Sequence, residues 1–474
     1  MFRTPQILIV GGGYAGFYAA WHLEKRLKRS EASVTILDPR PYMTYQPFLP
    51  EVVGGSIEAR HVAVSLRRHL RRTTVLSGRA TSIDHSSKSV EARMNDGRDV
   101  SLSYDVIVVT AGAVTRTFPV PGIAETALGL KHVEEAVAIR DGLLTALDRA
   151  ADLPKGPARS SALTVTFVGA GYAGVEGFGE LLSLSQAAVK RYPEIDPGEL
   201  SFHLVEASER VLPEVSAKTG EWVVRSLERR GARVHLRTTV TSAVGGEVVL
   251  SSGERFGSDL IVWTAGTAAN PTIAKRSDLP VNARGLLIVR PDLRVGTDDH
   301  PVTDAWAMGP ASATRDAWGR DDAWAAGDNA AVPDLSRTAS PPYVYTVPNA
   351  QHAVRQGKRL ARNITRTLRG AAPRPYRHRS LGTVATLGLG TGVFEAGPVA
   401  IRGLLGWLIH RGYQVLTIPT WERKIRVAAG WLTALFLGRD IVSLASVQRP
   451  RQEFVSGGRL AARPSSQTGD ADAA

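Results

Sequence analysis

A glycine-rich pattern that occurs twice constrains this chain more than any other feature. Residues 6–10 and 163–168 are short apolar runs typical of buried strands, and each leads directly into a G-x-G-x-x-G turn and a helix-like segment. A second apolar strand follows and ends in an acid, Asp38 in the first copy and Glu206 in the second. Because strand, turn, helix, strand and acid agree twice, the sequence predicts an α/β fold with two Rossmann-like dinucleotide-binding domains rather than two ordinary structural turns.

The residue types in both turns suit the binding of a pyrophosphate. The first glycine permits the tight strand-to-helix turn, the second lets the backbone approach a phosphate, and the third lets helix and strand pack closely. The helix N-terminus offers free N–H groups and a positive dipole, and the acid can accept hydrogen bonds from ribose hydroxyls. The glycines are Gly11, Gly13 and Gly16 in the first copy and Gly169, Gly171 and Gly174 in the second.

Three further apolar segments end at glycines. Residues 104–112 and 259–266 end at Gly112 and Gly266 in small-residue turns of the kind found where backbone passes a cofactor, although an ordinary strand end is the simpler reading of either one alone. Residues 323–330 form a strand-like run, a Gly327-Asp328 turn and a predicted helix start near residue 330.

The absence of cysteine excludes whole classes of chemistry. The 474 residues contain none, so disulfides, thiolate nucleophiles and Cys-ligated zinc or iron–sulfur clusters are ruled out. No metal site is expected. The 58 basic and 45 acidic side chains give a net charge of +13, which fits nucleic acid, an anionic membrane surface or anionic cofactors. The basic clusters at residues 25–29 and 67–72 carry no nucleic-acid motif, so nucleic acid is the least favoured partner.

The C-terminal part changes character after about residue 379. Residues 395–463 hold 10 basic and 4 acidic side chains, a net of +6, with interleaved aromatic and aliphatic residues. Its apolar runs, such as residues 403–409 and 427–437, are too short to span a bilayer. The pattern predicts an amphipathic helix pair lying in a membrane interface, with a buried dimer or core helix as the alternative.

The order of these elements resembles the type II NADH dehydrogenases over about residues 5–447. These are single-subunit NADH:quinone oxidoreductases of the two-dinucleotide-binding-domain flavoprotein superfamily. Residues 45–52 are similar to the family's aromatic-Gln-Pro segment along the flavin, and residues 350–357 to its Ala-Gln-x-Ala segment near the quinone. Residues 397–410 resemble the start of its membrane-anchoring helices.

The resemblance implies a cofactor for each fingerprint. The first would hold FAD, through Gly11, Gly13, Gly16, Asp38, Gln46, Gly112, Gly327 and Asp328. The second would hold NADH, through Gly169, Gly171, Gly174, Glu206 and Gly266. Glu206 disfavours NADPH because its carboxylate would repel a 2′-phosphate, although nearby Arg210 moderates that preference.

The resemblance also implies catalytic and quinone-site residues. Glu176 would lie between nicotinamide and quinone and relay protons; its alternative is a carboxylate stabilised by the helix dipole. Gln351 would hydrogen-bond the quinone, with a structural amide as the alternative. Val384 would line the quinone tunnel, although ordinary core burial is the likelier role of that side chain alone.

The domain assignment and partners follow from the same resemblance. Residues 1–118 and 283–385 form the FAD-binding domain, residues 119–282 the NADH-binding domain, residues 386–450 the membrane-associated region and residues 451–474 a disordered tail. We expect a peripheral, non-proton-pumping homodimer that lies on the anionic surface of the cell membrane, on its cytoplasmic face, and reduces a membrane quinone. Two alternatives stay open: a soluble NAD(P)H-dependent flavoprotein reductase of a protein carrier such as ferredoxin, and a non-catalytic flavin redox sensor.

One departure from the family concerns residues 304–322. Residues 303–310 resemble residues 321–328, which indicates a small internal duplication. Only the second copy has an acid, Asp328, where the first has Pro310. The FAD assignment therefore requires the second copy to occupy the strand.

Overall fold

The computed structural model describes residues 4–297, 322–338, 340–378, 380, 382–444 and 451. The first copy of the predicted duplication, at residues 303–310, and the predicted tail beyond residue 451 lie outside these ranges.

The chain alternates strands and helices over most of its described length. Its N-terminal part contains β1 (Gln6–Val10), α1 (Tyr14–Arg26), β2 (Ser33–Asp38), β3 (Tyr42–Thr44), α2 (Leu49–Val53), β4 (Ala63–Ser65), α3 (Leu66–His69), β5 (Thr74–Asp84), β6 (Ser89–Met94), β7 (Asp99–Ser103), β8 (Val106–Val109) and β9 (Ala113–Thr115). Its middle part contains α4 (Ile123–Thr126), β10 (Ala127–Gly129), α5 (Val133–Asp152), α6 (Pro157–Ala162), β11 (Thr164–Val168), α7 (Tyr172–Ala188), β12 (Ser201–Val205), α8 (Ala217–Glu228), β13 (Ala232–His235), β14 (Val240–Ser242), β15 (Glu247–Leu250), β16 (Arg255–Gly257), β17 (Leu260–Trp263), β18 (Thr267–Ala269) and α9 (Pro271–Lys275). The remainder contains β19 (Leu287–Ile288), β20 (Ala323–Ala325), β21 (Ala330–Ala331), α10 (Ala350–Leu368), β22 (Thr383–Thr386), β23 (Gly392–Ala396), β24 (Val399–Gly403), α11 (Leu404–Thr417) and α12 (Trp421–Leu437).

Two parallel sheets carry the two fingerprints. The first has the order β20-β8-β1-β2-β5-β6-β7, parallel from β20 to β5 and antiparallel at β6 and β7. The second has the order β10-β17-β11-β12-β13 and is parallel throughout. In each sheet the fingerprint strand, β1 or β11, is central. The predicted α/β fold with two Rossmann-like sheets is therefore confirmed.

Interior strands of both sheets form much of the core. Strands β8, β11 and β17 are buried along their whole length, as expected for central parallel strands. Helix α10 packs on α1 so closely that a Cβ on Gly357 would lie 2.5 Å from the Ala15 carbonyl oxygen. This contact fixes the start of α10, which carries Gln351, beside the first glycine turn.

The strands of the first sheet come from residues 6–109 and 323–325, and those of the second from residues 127–263. The short pair β9–β18 connects the two units, with Thr115 opposite Thr267. The domain boundaries given above stay a prediction.

Around Asp328, the strand that the FAD assignment requires is present, but the helix predicted after it is not. The second copy of the duplicated sequence forms β20 at the sheet edge, where Ala323 pairs with Ile107, as the FAD assignment requires. The helix predicted near residue 330 is wrong. Residues Ala330–Ala331 form β21 instead, which pairs with β19. The next helix is α10.

The C-terminal region begins with a sheet rather than with helices. Strands β22, β23 and β24 form an antiparallel sheet, and Gly397 and Pro398 make the two-residue turn between β23 and β24, with a φ of +56° at Gly397. The predicted helix pair is present as α11 and α12. No helix in the described part of the chain is both long and apolar enough to cross a bilayer.

Candidate functional site

Two adjoining cavities lie at the carboxyl ends of the fingerprint strands. The first, of about 180 Å³, is lined by residues of the first fingerprint and its neighbours, including Gly11, Gly13, Asp38, Gly112, Gly327 and Asp328. The second, of about 640 Å³, is lined by Gly171, Gly174, Glu176, Gly266, Gln351 and Val384, among others. Gln46, Lys131 and Asp328 line both, so the two cavities share a wall. Among the sequence-predicted residues, Gly16, Gly169 and Glu206 line neither cavity.

The first glycine turn is built around close backbone packing. Gly11 has a φ of +104°, and a Cβ on Gly16 would lie only 1.9 Å from the Gly11 carbonyl oxygen. The Thr110 hydroxyl donates to that same carbonyl at 2.9 Å. A Cβ on Gly13, in contrast, would meet no atom within 4 Å. The first and third glycines therefore serve the turn, and the second faces open space at the N-terminus of α1.

The second glycine turn repeats this geometry. Gly169 has a φ of +102°, a Cβ on Gly174 would lie 1.9 Å from the Gly169 carbonyl oxygen, and Thr264 donates to that carbonyl at 2.9 Å. A Cβ on Gly171 would again meet no atom within 4 Å. The sequence repeat is thus reproduced down to individual hydrogen bonds.

The two acids anchor the turns through backbone hydrogen bonds. Asp38 Oδ2 accepts from the Gly12 N–H at 2.6 Å, and Glu206 Oε2 accepts from the Ala170 N–H at 2.6 Å. Burial raises the pKa of Asp38 despite the hydrogen bonds from the N–H groups of Gly12 and Arg40, which lower it. Each acid is therefore held at the end of its strand beside the glycine turn, where a ribose would lie.

Asp328 lies where the two cavities meet. Gly327, with a φ of +82°, precedes it, and the Gly327 N–H donates to Gln356 Oε1 at 2.8 Å. Burial raises the pKa of Asp328, and the nearby Lys131 ammonium partly opposes that rise. The neighbouring Asn329 bridges two strand ends, since its Oδ1 accepts from the Gly112 N–H and its Nδ2 donates to the Val109 carbonyl. Sequence reasoning identified Asp328 and Gly112 but missed Asn329 and Gln356.

Glu176 is a buried carboxylate in the wall of the second cavity. It lies on the second turn of α7, and its Oε1 accepts from the Thr386 N–H at 3.1 Å and lies 3.2 Å from His410 Nε2. A Cβ on Gly179 would lie 2.5 Å from the Leu387 backbone, so β22 is packed directly onto α7. This packing brings the acid of the second fingerprint helix into contact with the C-terminal helix α11.

Gln351 and Val384 also line the second cavity, and they lie on two different elements, α10 and β22. Gln351 is half-buried in the first turn of α10, and Val384 is half-buried on β22. His352, which sequence reasoning missed, also lines this cavity, and its Nδ1 lies 2.9 Å from the Tyr376 hydroxyl. Burial and the neighbouring His378 lower the pKa of His352 to about 4, so the imidazole is neutral at pH 7.

A buried charge cluster holds the helix pair onto the body of the protein. Arg411 of α11 donates to Glu51 Oε2 at 2.7 Å and lies 3.6 Å from Glu180 Oε1, and Arg439 lies 3.0 Å from Glu180 Oε2. Trp431 Nε1 also donates to Glu51, at 2.6 Å. The two glutamates are fully buried. Sequence reasoning missed this cluster.

The geometry fits two extended ligands with pyrophosphate groups. Beyond the open space at Gly13 and Gly171, a Cβ on Gly112 or Gly266 would also meet no atom within 4 Å, although both glycines have a positive φ. The backbone is thus exposed at the places where cofactors would pass, whereas neighbouring backbone and threonine hydroxyls crowd the first and third glycines of each turn. The shared wall at Gln46 and Asp328 would place the reactive ends of the two ligands side by side.

Comparison with known proteins agrees with this arrangement. The chain is 27% identical over 449 residues to a type II NADH:quinone oxidoreductase of Mycobacterium tuberculosis, covering 92% of this chain and 89% of that protein. It is 27% identical over 436 residues to the demethylphylloquinone reductase of Synechocystis, covering 90% and 96%. The structure of NDH2 from Plasmodium falciparum in complex with NADH has the same fold, with a TM-score of 0.81 at 18% identity, covering 93% of this chain and all of that one. Residues 5–357 match the model of the pyridine nucleotide-disulphide oxidoreductases, and the chain belongs to that family.

Proposed function

We propose that the chain is an FAD-dependent NADH:quinone oxidoreductase of the type II class. The observation that carries this proposal is the pair of adjoining cavities, each with its own fingerprint turn and sharing the wall at Gln46 and Asp328. Proteins of M. tuberculosis and Synechocystis, similar over nearly their whole length, have names that state quinone reduction. A disulfide route is closed to this chain because it contains no cysteine.

The first cavity is assigned to FAD and the second fingerprint to NADH. FAD, when bound, supplies a ring that accepts a hydride from NADH and passes two electrons to a quinone. The backbone N–H groups at Gly13 and Gly171 bind the pyrophosphates, and Asp38 and Glu206 orient the riboses. Asp328 receives the polar part of the flavin cofactor at the point where β20 ends.

The residues around the second cavity serve the quinone and its protons. Gln351 donates a hydrogen bond to a quinone oxygen, and Val384 supplies apolar tunnel wall. Glu176 holds or passes a proton at Oε1, with the His410 imidazole 3.2 Å away as its buried neighbour. Replacing Glu176 with Gln keeps an acceptor for the Thr386 N–H and removes the acid, so the pH dependence of kcat should change while the KM for NADH stays the same. An unchanged pH dependence would contradict the relay.

The activity is tested by NADH oxidation with and without a short-chain quinone. We expect the quinone to accelerate NADH oxidation by the FAD-loaded protein and ferredoxin to have no effect. Acceleration by ferredoxin alone would favour the soluble-reductase alternative. No acceleration by either acceptor would leave a flavin redox sensor as the better description.

The helix pair is proposed to bind the membrane surface peripherally. It exposes large apolar side chains, among them Leu416, Trp421, Leu435 and Phe436, the last of these 79% exposed. Transfer of two such side chains from water into lipid is worth roughly 3–6 kcal/mol. The double replacement Leu435→Gln and Phe436→Gln should therefore release the protein from neutral lipid vesicles. Val244→Gln, at an exposed apolar residue outside the helix pair, is the matched control. Equal vesicle binding by both variants would contradict the docking surface.

Homodimerisation and the cytoplasmic side of the membrane remain part of the proposal. Sedimentation of the detergent-solubilised full chain tests the first, and protease accessibility in sealed inverted vesicles tests the second. A monomer in sedimentation, or protection in inverted vesicles, would contradict the respective assignment.

A further inference from the structure

A separate cavity of about 700 Å³ lies between α12, α5, α3 and residues 57–61. It shares no lining residue with the two cavities of the glycine turns. Its charged lining comprises five arginines and three acids: Arg60, Arg68, Arg140, Arg423 and Arg426, with Glu58, Asp141 and Glu422. The function proposed above gives this cavity no role.

The arginines of this cavity carry more positive charge than the protein neutralises. Of the lining acids, Glu422 forms ion pairs with Arg68, with Arg423 at 3.4 Å and with Arg426 at 3.9 Å, and Asp141 forms one with Arg140 at 3.4 Å. Arg60 forms no ion pair with any residue in the described part of the chain, although its carbonyl accepts from Arg423 at 2.8 Å. The five arginines of the lining exceed its three acids by two, so the cavity carries a net positive charge that a bound anion would neutralise.

The centre of this cluster is shielded from water. The side chains of Glu422 and Arg423 are only 11% and 16% exposed, whereas Arg68 and Arg426 are more than half exposed. Burial, together with the positive charges of Arg426 and Arg68, lowers the pKa of Arg423 despite the opposing Glu422. His61 is affected in the same sense, because burial and Arg423 lower its pKa. An anion in this cavity would therefore be within reach of both buried and exposed guanidinium groups.

Apolar side chains next to the arginines indicate the source of the anion. On α12, Trp421 and Ile425 are 75% and 58% exposed and alternate with the arginines that line the cavity. Leu444, also exposed, lines the cavity itself. In a helix lying on a membrane, arginines occupy the depth of the phosphates while apolar side chains enter the acyl region. A free phosphate ion has no apolar part that could contact these side chains, whereas a phospholipid has acyl chains.

We propose that this cavity binds the phosphate group of an anionic phospholipid, with the acyl chains lying along the exposed apolar side of α12. The shared chemistry is a phosphate oxyanion held by several guanidinium groups, which present paired donors to it. The proposal rests on the membrane docking proposed above but goes beyond it, because apolar docking alone requires no lipid selectivity.

The test compares vesicle flotation of the full chain with phosphatidylcholine alone and with added phosphatidylglycerol. We expect tighter binding to the phosphatidylglycerol vesicles. Because a hydrogen bond to a charged group contributes about 1.5–3 kcal/mol, Arg426→Gln should reduce this preference by roughly tenfold or more. Lys424→Gln on the same helix is the matched control, because Lys424 does not line the cavity. Loss of diffuse surface attraction alone should reduce the preference of this variant for phosphatidylglycerol by roughly fivefold at most.

The outcomes separate the proposals. Binding to both vesicle types without any preference would overturn the lipid site and leave membrane docking intact, whereas no flotation at all would overturn both. An equal loss of preference in the Lys424 variant and in the Arg426 variant would show diffuse attraction and overturn a discrete site. In a second arm, dihexanoyl-phosphatidylglycerol should raise the melting temperature more than inorganic phosphate at equal concentration. An equal effect of inorganic phosphate would overturn the lipid as the source.

Discussion

Replacing Gly171 with alanine separates the ligand-binding role of the second turn from its structural role. Gly171 has a φ of −72° and a ψ of −173°, which alanine adopts without strain, and the added Cβ would meet no atom within 4 Å. The folded protein should therefore be as stable as before or up to about 1 kcal/mol more stable, since alanine restricts the unfolded chain. The methyl group would nevertheless occupy the space assigned to the NADH pyrophosphate.

The substitution is expected to weaken the binding of NADH. Losing one backbone hydrogen bond to a charged phosphate costs about 1.5–3 kcal/mol, which corresponds to a KM for NADH raised roughly 10- to 100-fold. The assay is the steady-state rate of NADH oxidation with a short-chain quinone as the NADH concentration is varied, with a thermal melt of the same sample. A KM unchanged in a fully folded variant would refute the placement of the pyrophosphate at Gly171.

Gly174→Ala provides the contrasting control. Its Cβ would lie 1.9 Å from the Gly169 carbonyl oxygen, closer than the 3.0 Å that real contacts respect. Helix α7 would have to move by about 1 Å, a displacement of the kind that costs roughly 100-fold in kcat/KM, and Glu176 would move with it. We therefore expect a lowered melting temperature for Gly174→Ala but not for Gly171→Ala.

Three further perturbations test other parts of the account. Asp328→Ala should weaken FAD binding by roughly tenfold or more, measured by titrating FAD into the flavin-free protein, because it removes the charge-assisted hydrogen bond assigned to the cofactor; an unchanged affinity would contradict the role of Asp328. Arg411→Met should lower the free energy of unfolding by about 3–5 kcal/mol because it leaves Glu51 buried without its cation, whereas the exposed Arg225→Met should change it by no more than about 0.5 kcal/mol; equal denaturation midpoints would show that the cluster does not stabilise the fold. Acidification should destabilise the protein below about pH 6.5, where an unfolded histidine takes up a proton: burial and the charge of His235 lower the pKa of folded His203 to about 3, so only the unfolded chain binds that proton. His203→Gln should flatten this dependence, and an unaltered slope would contradict the assignment.

The fingerprints could be predicted because their chemistry is local in sequence. Gly11, Gly13 and Gly16 are tied to one turn, and the structure gives each the environment that its position in the motif requires. The same holds for the acids, which follow the second strand of each unit. The helix predicted near residue 330 failed because the polar Asn329 holds the chain between two strand ends, a tertiary contact that overrides local preference.

The buried charge cluster could not be located in the same way, because its members are far apart in sequence. Glu51, Glu180 and Arg411 meet only when α2, α7 and α11 pack together. A partial signal existed: Glu180 follows Glu176 by one helical turn in an otherwise uncharged helix, which places both acids on one face. Their partners, however, depend on how the C-terminal helices dock, which residue types do not specify.

The central claim is that electrons pass from NADH through a bound flavin to a quinone in this one chain. The most direct measurement is the absorbance spectrum of the purified protein without oxygen, recorded before NADH, after NADH and after a short-chain quinone. The account predicts a bound flavin whose colour is bleached by NADH and restored by the quinone. A protein that retains no flavin, or one whose bleached colour the quinone does not restore, would contradict it.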